Sequence, residues 1–193
     1  GVSEERLYVT KKVSVVFFER FIKEEEKKKI GNPMNKETVV GPLIRKGEVS
    51  RVDEWVKESL KNGSKLILGG KKLSDVSYDK TIILNPNKND KISQYEIFGP
   101  VVTVNEYDTF EKAIEDANSV NVSFQASIFT NQISEILKFY EKINASSIFH
   151  NDHTAFRVDW MPFAGLKHSG HGVGGIKYSM HDMQIDKMLV LKK

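Results

Sequence analysis

The chain has 193 residues, of which 39% are hydrophobic and 28% are charged, a balance typical of a folded globular protein. None of the residues is cysteine, which excludes disulfides, thiolate metal sites and thiol catalysis by these residues. Its 29 basic and 26 acidic residues leave a net charge of +3, too small and dispersed an excess to indicate nucleic acid binding. No apolar run approaches the roughly 18 residues of a membrane span and the first residues do not resemble a signal peptide, so we expect a cytoplasmic protein.

Helix and strand patterns alternate along the chain, which predicts an α/β fold. The helix patterns are apolar stripes that end near glycine, as at Gly31 and Asn62-Gly63. The predicted elements are, in order, a helix at 11–29, a helix at 47–61, strands at Lys65–Leu68 and Thr81–Leu84, a strand at 101–105, a helix capped by Asp108 or Thr109, a strand at 125–130, a helix capped by Asn131, a strand at 146–149 and a terminal strand at 188–191.

The composition and the hydrophobic periodicity of the sequence change near residue 151. Glycine and histidine become frequent between Asn151 and Gly175, and helical periodicity fades. We therefore predict one domain over residues 1–160, followed over residues 161–193 by a loop-rich segment and a terminal strand.

Three local patterns in this second region resemble known sites. Gly170–Gly175 matches the G-x-G-x-x-G of dinucleotide-binding folds, but no buried strand precedes it, so it is interpreted as a turn. Ser169 lacks the glycine that a nucleophile elbow needs in register. The five histidines suggest a metal site, although their spacing in a loop fixes no geometry. These are His150, His153, His168, His171 and His181.

Several segments, in the same order and at similar spacing, resemble the aldehyde dehydrogenase superfamily. The resemblance covers essentially the whole chain. The matching segments are Gly31-Asn32-Pro33-Met34 with Val40-Gly41-Pro42-Leu43-Ile44, Glu96-Ile97-Phe98-Gly99-Pro100-Val101, Gln125 to Thr130, Asn151-Asp152-His153 with Met161-Pro162-Phe163-Ala164-Gly165-Leu166-Lys167-His168-Ser169-Gly170, and Asp186 to Val190.

The resemblance implies a fold and a reaction. The implied fold is an open twisted sheet with flanking helices, of the aldehyde dehydrogenase catalytic-domain type, plus a C-terminal oligomerisation arm. The implied reaction is the oxidation of an aldehyde to a carboxylic acid with NAD or NADP. The family's catalytic cysteine lies five residues before an arginine, and counting back from Arg6 reaches Gly1. We therefore expect this chain alone to be inactive and to bind no cofactor by itself.

The same resemblance assigns roles to single residues. Glu96 is similar to the glutamate that hydrogen-bonds the nicotinamide ribose, and Phe98 to the aromatic near the nicotinamide. Phe163 resembles the substrate-pocket aromatic. Arg157 lies in the loop that shapes the substrate entrance, where an arginine is able to select an anionic aldehyde, and a plain surface arginine is the alternative interpretation. No catalytic residue and no metal ligand is assigned. Lys80 departs from the family pattern, in which a proline often precedes Thr81.

Alternative functions remain open at this stage. The chain is expected to form a homo-oligomer through its terminal strand, so a non-catalytic oligomerising or interaction module is one alternative. Another is one half of a two-chain enzyme, whose N-terminal dinucleotide-binding half is a separate partner. A metal-binding module built on the histidines is a third. Neither nucleic acid nor a membrane is expected as a partner.

Overall fold

The structure is a computed structural model that describes residues 3–193. Contacts divide it into an N-terminal unit, Glu4–Ala117, and a C-terminal unit, Asn118–Lys193, to which Ser3 is also assigned. The helices are α1 (Ser14–Glu26), α2 (Lys46–Lys61), α3 (Lys91–Gln94), α4 (Phe110–Asn118), α5 (Ile133–Lys142) and α6 (Ile176–Asp182). The strands are β1 (Arg6–Thr10), β2 (Lys29–Ile30), β3 (Thr38–Val40), β4 (Lys65–Leu68), β5 (Thr81–Leu84), β6 (Val101–Tyr107), β7 (Val122–Ser123), β8 (Gln125–Ile128), β9 (Ser147–His150) and β10 (Leu166–Lys167).

The N-terminal unit is built on a four-stranded sheet with the order β1-β6-β5-β4. Strands β1, β6 and β5 are parallel, and β4 pairs antiparallel with β5. Parallel strands need crossover connections, which helices usually supply, and the predicted alternation of helix and strand reflects this. The mixed α/β fold expected from the sequence is confirmed.

Both faces of this sheet are covered by helices. Successive side chains of a strand point to opposite faces, so the neighbours Ile82 and Ile83 of β5 enter different cores. Ile83 packs with three valines of α2, whereas Ile82 packs with the phenylalanines of α1. The valines are Val49, Val52 and Val56, and the phenylalanines are Phe17, Phe18 and Phe21.

Helix boundaries follow the sequence signals where these are local. Helix α2 ends at Lys61, and Gly63 adopts a φ of 102°, a left-handed conformation that glycine tolerates. Helix α4 is capped by Thr109, whose Oγ1 accepts the N–H of Lys112 at 3.4 Å, which confirms one of the two predicted caps. Helix α1 begins at Ser14, later than predicted, because β1 runs to Thr10 and the chain needs a turn between them.

Lys80 has a structural role in this unit. Its ammonium group donates hydrogen bonds to the carbonyl oxygens of Glu25 and Lys28, and the bond to Lys28 is 2.6 Å long. Glu25 lies in the last turn of α1 and Lys28 lies two residues beyond its end, so the ammonium group is placed where the helix carries partial negative charge. The departure from the family pattern at this position therefore stabilises a helix end.

The C-terminal unit has smaller sheets. Strands β8 and β9 pair in parallel on either side of α5 in sequence, and β7 pairs antiparallel with β10. Phe139 of α5 is buried, whereas Ile133, Leu137 and Tyr140 are exposed. Asn131 is not the cap of α5 as predicted, because the helix starts two residues later, at Ile133, and its cap residue Gln132 makes no side-chain capping hydrogen bond.

The end of the chain differs from the prediction. A helix, α6, occupies Ile176–Asp182, and the predicted strand at 188–191 is not formed. A strand requires a hydrogen-bonding partner, and these residues pair with no strand among those that the structure describes. Contacts divide the chain after Ala117 rather than near residue 160, so the domain boundary at 160/161 stays a prediction. Within residues 3–193, no helix has the length and apolar character needed to cross a membrane.

Candidate functional site

The candidate cofactor residues lie in the segment that joins α3 to β6. Ile97 is only 2% exposed and belongs to the core formed with α2, whereas its neighbours Glu96 and Phe98 are exposed. Phe98 has 67% of its surface open to solvent. The buried isoleucine thus anchors the segment, and the glutamate and phenylalanine on either side of it face outward.

Phe98 has an unusual backbone conformation. Its φ of 47° lies in the left-handed region, which is sterically unfavourable for any residue with a Cβ atom. Next to it, a Cβ atom on Gly99 would lie 3.0 Å from Cγ2 of Val52, so a side chain here would fit only if Val52 shifted slightly. Conformations of this kind persist only where the surroundings impose them, and they concentrate at functional sites.

Two side chains hold the peptide groups of Ile97. Nη2 of Arg51, on α2, donates a hydrogen bond of 2.5 Å to the carbonyl oxygen of Ile97. The carboxylate of Glu5 accepts the N–H of Ile97 at 3.4 Å. The segment is therefore fixed from α2 and from the residue before β1.

Glu5 is the most perturbed carboxylate near this segment. Burial, and after it the negative charge of Glu96, raise the pKa of Glu5, while the N–H groups of Ile97 and Phe98 lower it, and the net result is a rise from 4.5 to about 6. No sequence pattern identifies Glu5 or Arg51, because each contact joins residues far apart in the chain. Both were missed for that reason.

The candidate substrate residues Arg157 and Phe163 contact each other. Cζ of Arg157 lies 4.7 Å from the centre of the Phe163 ring, a distance typical of a cation–π interaction. Nη2 of Arg157 also donates a hydrogen bond of 3.2 Å to the carbonyl oxygen of Met161. The predicted loop arginine and pocket phenylalanine are thus brought together.

Phe163 is fixed by further contacts in the C-terminal unit. Its ring meets the ring of Phe124 edge-on, with 4.7 Å between the centres. Its backbone exchanges two hydrogen bonds with Gly174, of 3.0 and 2.7 Å. A Cβ atom on Gly165 would lie 2.5 Å from the carbonyl oxygen of Ser169, so the turn after Phe163 requires a residue without a side chain.

The histidines are not assembled into a metal site. Nε2 of His150 lies 2.8 Å from the carbonyl oxygen of Thr130, and Nδ1 of His153 accepts the N–H of Ala155 at 3.1 Å. From residue 3 to the end of the chain, no three His, Cys, Asp or Glu side chains come together in a way that could hold a metal ion. The structure therefore offers no observation in favour of the metal-binding alternative.

The candidate residues belong to different units. Glu96 and Phe98 lie in the N-terminal unit, and Arg157 and Phe163 lie in the C-terminal unit. Gly1, where the family's nucleophile position falls, lies outside the described residues. The chain bends within Gly170–Gly175, where Gly172 and Gly175 have φ values of 68° and 119° and Gly174 pairs with Phe163.

Comparisons with known proteins extend the resemblance seen in the motifs. The 3-sulfolactaldehyde dehydrogenase of Priestia megaterium is 37% identical over 190 residues, which is 98% of this chain and 40% of that protein. The solved structure of aldehyde dehydrogenase 21 from Physcomitrella patens, in complex with the reaction product succinate, is 33% identical with a TM-score of 0.91. It matches 94% of this chain, which covers 38% of that structure.

A third relative binds a nucleotide. The structure of glyceraldehyde-3-phosphate dehydrogenase GapN from Methanocaldococcus jannaschii, complexed with NADP, is 34% identical with a TM-score of 0.89 and matches 94% of this chain. This chain covers 39% of that structure and so spans about 40% of the length of the relatives it matches. The model of the aldehyde dehydrogenase family matches residues 2–189. The chain belongs to the aldehyde dehydrogenase family.

Proposed function

We propose that this chain supplies part of the active site of an enzyme that oxidises an aldehyde to a carboxylic acid with NAD or NADP. The observation that carries the proposal is the family match over residues 2–189, together with the outward-facing, strained Phe98 beside Glu96. Within the chain, we assign residues 1–160 to the catalytic domain and 161–193 to a loop-rich segment and arm.

Glu96 and Phe98 fit a nicotinamide nucleotide in their chemistry. A carboxylate accepts hydrogen bonds from the hydroxyl groups of a ribose, and an exposed aromatic ring offers an apolar surface to the nicotinamide. When bound, NAD(P)+ accepts the hydride that leaves the substrate carbon. The role of this chain's residues is to hold and orient the nucleotide for that transfer.

Arg157 and Phe163 are proposed to bind the aldehyde. A guanidinium has more N–H donors than the one bond to Met161 uses, so Arg157 is able to pair with an anionic group while it stays stacked on Phe163. The names of three relatives contain an anionic compound, whereas other relatives are lactaldehyde dehydrogenases, whose aldehyde is uncharged. Sulfolactaldehyde carries a sulfonate, succinate a carboxylate at each end, and glyceraldehyde 3-phosphate a phosphate.

We expect the chain by itself to have no activity. Aldehyde oxidation in this family proceeds through a thiolate adduct, and the 193 residues contain no cysteine. The test is aldehyde-dependent formation of NAD(P)H by the chain alone and by a chimera in which it follows the N-terminal part of the Priestia megaterium relative. We expect turnover only by the chimera. Turnover by the chain alone would contradict the assignment.

Substrate class is tested in the same chimera with Arg157→Met, which keeps an unbranched stem over Phe163. We expect kcat/KM for an aldehyde with a sulfonate, carboxylate or phosphate to fall about tenfold to a hundredfold, as loss of a hydrogen bond to a charged group implies. An uncharged aldehyde of similar length should be affected little. Arg20→Met, on the exposed face of α1, is the matched control. Equal losses for both substrates would contradict anion selection.

A specific observation favours a second function, association through the C-terminal end. Apolar side chains at 185–191 are between 72% and 94% exposed and have no strand partner among the described residues. Such a segment pairs readily with a sheet edge of another chain. Sedimentation of the chain should show concentration-dependent dimers or larger species, and Leu189→Asp should reduce them. A monomer at every concentration would contradict this second proposal.

A further inference from the structure

The segment that carries Glu96 and Phe98 is held by two residues that no motif identifies. Arg51 bonds to the carbonyl oxygen of Ile97, and Glu5 bonds to the N–H of the same residue. Because hydrogen bonds hold both the N–H and the carbonyl oxygen of Ile97, the backbone dihedral angles next to them are restricted. To impose the left-handed backbone conformation of Phe98, Glu5 and Arg51 must themselves be held in place.

Glu5 is fixed by its own backbone. Its carbonyl oxygen accepts the N–H of Thr103 at 2.9 Å and the Oγ1 hydroxyl of Thr103 at 3.1 Å. Thr103 is buried in the middle of β6. The Glu5 side chain therefore extends toward Ile97 and Phe98 from a point that the central sheet holds still.

Arg51 is held in place by neighbouring side chains of α2. Its Nε donates a hydrogen bond of 2.7 Å to Glu48, one turn earlier on α2, and its Cζ lies 4.6 Å from the centre of the Trp55 ring. Helix α2 is itself anchored by Val49, Val52 and Val56 in the core. The planar guanidinium is thus oriented before it reaches Ile97, which a flexible lysine would not achieve.

We propose that Glu5 and Arg51 are positioning residues that impose the left-handed backbone at Phe98 and so present Glu96 and Phe98 to the nicotinamide nucleotide. The presentation of Glu96 and Phe98 to a nucleotide rests on the proposed function, whereas the control of the Phe98 backbone by Glu5 and Arg51 does not. Neither residue touches the reacting atoms. Both act through the peptide groups of Ile97.

The hydrogen bonds of Glu5 and Arg51 to the peptide groups of Ile97 are called the clamp. The clamp is needed because the backbone conformation of Phe98 is energetically unfavourable. A non-glycine residue with a φ of 47° is strained and relaxes unless its surroundings over-determine it. Hydrogen bonds to charged groups are the stronger kind, and here a carboxylate and a guanidinium act on consecutive peptide groups. Their combined effect opposes relaxation of the segment.

Protonation of Glu5 provides a direct readout. The carboxylate of Glu96 raises the pKa of Glu5, and the N–H groups of Ile97 and Phe98 and the positive charge of the N-terminus lower it. An ionised carboxylate is a better acceptor than a protonated one. The amide protons of Ile97 and Phe98 should therefore report the titration of Glu5.

The first measurement is a pH titration of the chain by nuclear magnetic resonance. We expect the amide proton shifts of Ile97 and Phe98 to inflect near pH 6, the pKa of Glu5, and the inflection to vanish in Glu5→Gln. Glu19→Gln, on the exposed face of α1, should leave it unchanged. Absence of the inflection in the wild-type chain, or its persistence in Glu5→Gln, would overturn the proposal.

The second measurement tests Arg51 by amide hydrogen exchange. In Arg51→Met we expect exchange at Phe98 to be about tenfold faster or more, since a charge-assisted bond is lost, while Val104 in the sheet keeps its protection as a check on folding. Arg51→Lys should restore only part of the protection. Unchanged exchange at Phe98 in the folded Arg51→Met chain would also overturn the clamp.

A third measurement separates the clamp from the proposed function. NAD+ is added to the wild-type chimera, Glu5→Gln and Arg51→Met, and the Phe98 ring signals are followed. We expect shifts in the wild type and about tenfold weaker binding in each variant. If NAD+ leaves the Phe98 ring unaffected in the wild type, the cofactor assignment fails while the first two measurements still decide the clamp. Full affinity in both variants would overturn their positioning role.

Discussion

The two units of the chain differ in how they bury their apolar residues. In the N-terminal unit, a four-stranded sheet has a helix on each face, and Ile82, Ile83 and Val104 are removed from solvent. In the C-terminal unit, β8 and β9 form a single ladder, and α5 leaves Ile133 and Leu137 exposed. The first unit therefore supplies its own core, whereas the exposed apolar surface of the second is typical of a region that binds something else.

The largest effect is expected from the same truncation made in both units. Ile83→Ala removes a side chain with no exposed surface and should lower the free energy of unfolding by about 3 to 4 kcal/mol, because it leaves a cavity. Ile133→Ala, at a residue that is 69% exposed, should change it by less than about 0.5 kcal/mol. Urea denaturation measures both values. Similar losses would contradict the comparison of the two units.

A smaller effect is expected where the C-terminal unit is tightly packed. Gly165→Ala places a Cβ atom against the carbonyl oxygen of Ser169 and should destabilise the turn by about 2 kcal/mol. Gly170→Ala is the matched control, because its Cβ atom meets only ordinary contacts and should cost less than about 1 kcal/mol. Thermal unfolding of the two variants checks this. A stable Gly165→Ala chain would show that the turn is looser than the structure indicates.

The helix end that Lys80 caps should contribute about 1 kcal/mol. Lys80→Met removes the two bonds to the carbonyls of Glu25 and Lys28 and the favourable charge at the C-terminal end of α1. Lys71→Met, at an exposed lysine of the same unit, should have no measurable effect. Denaturant midpoints compare the pair. Equal midpoints for the two variants would mean that the cap adds nothing.

The smallest effect concerns the pH dependence of stability. The folded pKa of Glu5, about 6, exceeds the ordinary value of 4.5, so the folded state binds the proton more tightly than the unfolded state. The stability due to Glu5 is fully present below pH 4.5 and is lost as the pH rises through 6. Glu5→Gln should therefore stabilise the chain at neutral pH by at most about 1 kcal/mol, after allowance for solvent screening.

The pH dependence of stability should be specific to Glu5. Glu19→Gln, at an exposed helix position, should leave the pH dependence of unfolding unchanged. The difference between Glu5→Gln and the wild-type chain should shrink as the pH falls from neutral through 6 toward 4.5 and should stay constant below that. A difference that stays constant with pH would show that Glu5 does not titrate as described.

The sequence predicted elements whose signals are local. Helix α2 combines a valine stripe with a glycine stop at Gly63, and both signals lie within the helix and its end. Helix α6 was missed because it follows a glycine-rich turn and buries none of its residues, so no apolar stripe marks it. The strand predicted at 188–191 is not formed within the described chain, because strand pairing depends on a partner that local sequence does not specify, and its pairing with another chain stays a prediction.

In the candidate site, too, only residues that lie in a short sequence motif could be identified from the sequence. Glu96 and Phe98 were identified from a short motif, and Arg157 and Phe163 from another. The residues that hold the segment of Glu96 and Phe98 were not identified, because Glu5 lies 92 positions from Ile97 and Arg51 lies 46 positions from it. Contacts of that sequence separation are set by the packing of the sheet and α2, and composition or spacing does not reveal them.

The central claim is that Glu96 contributes to the binding of the nicotinamide nucleotide in aldehyde oxidation. Its most direct test is the rate of NAD(P)H formation by the chimera, measured against nucleotide concentration for the wild-type sequence and for Glu96→Gln. We expect the chimera to oxidise an anionic aldehyde and Glu96→Gln to lose about tenfold in kcat/KM for the nucleotide. A folded chimera without activity, or a Glu96→Gln variant with unchanged nucleotide dependence, would contradict the claim.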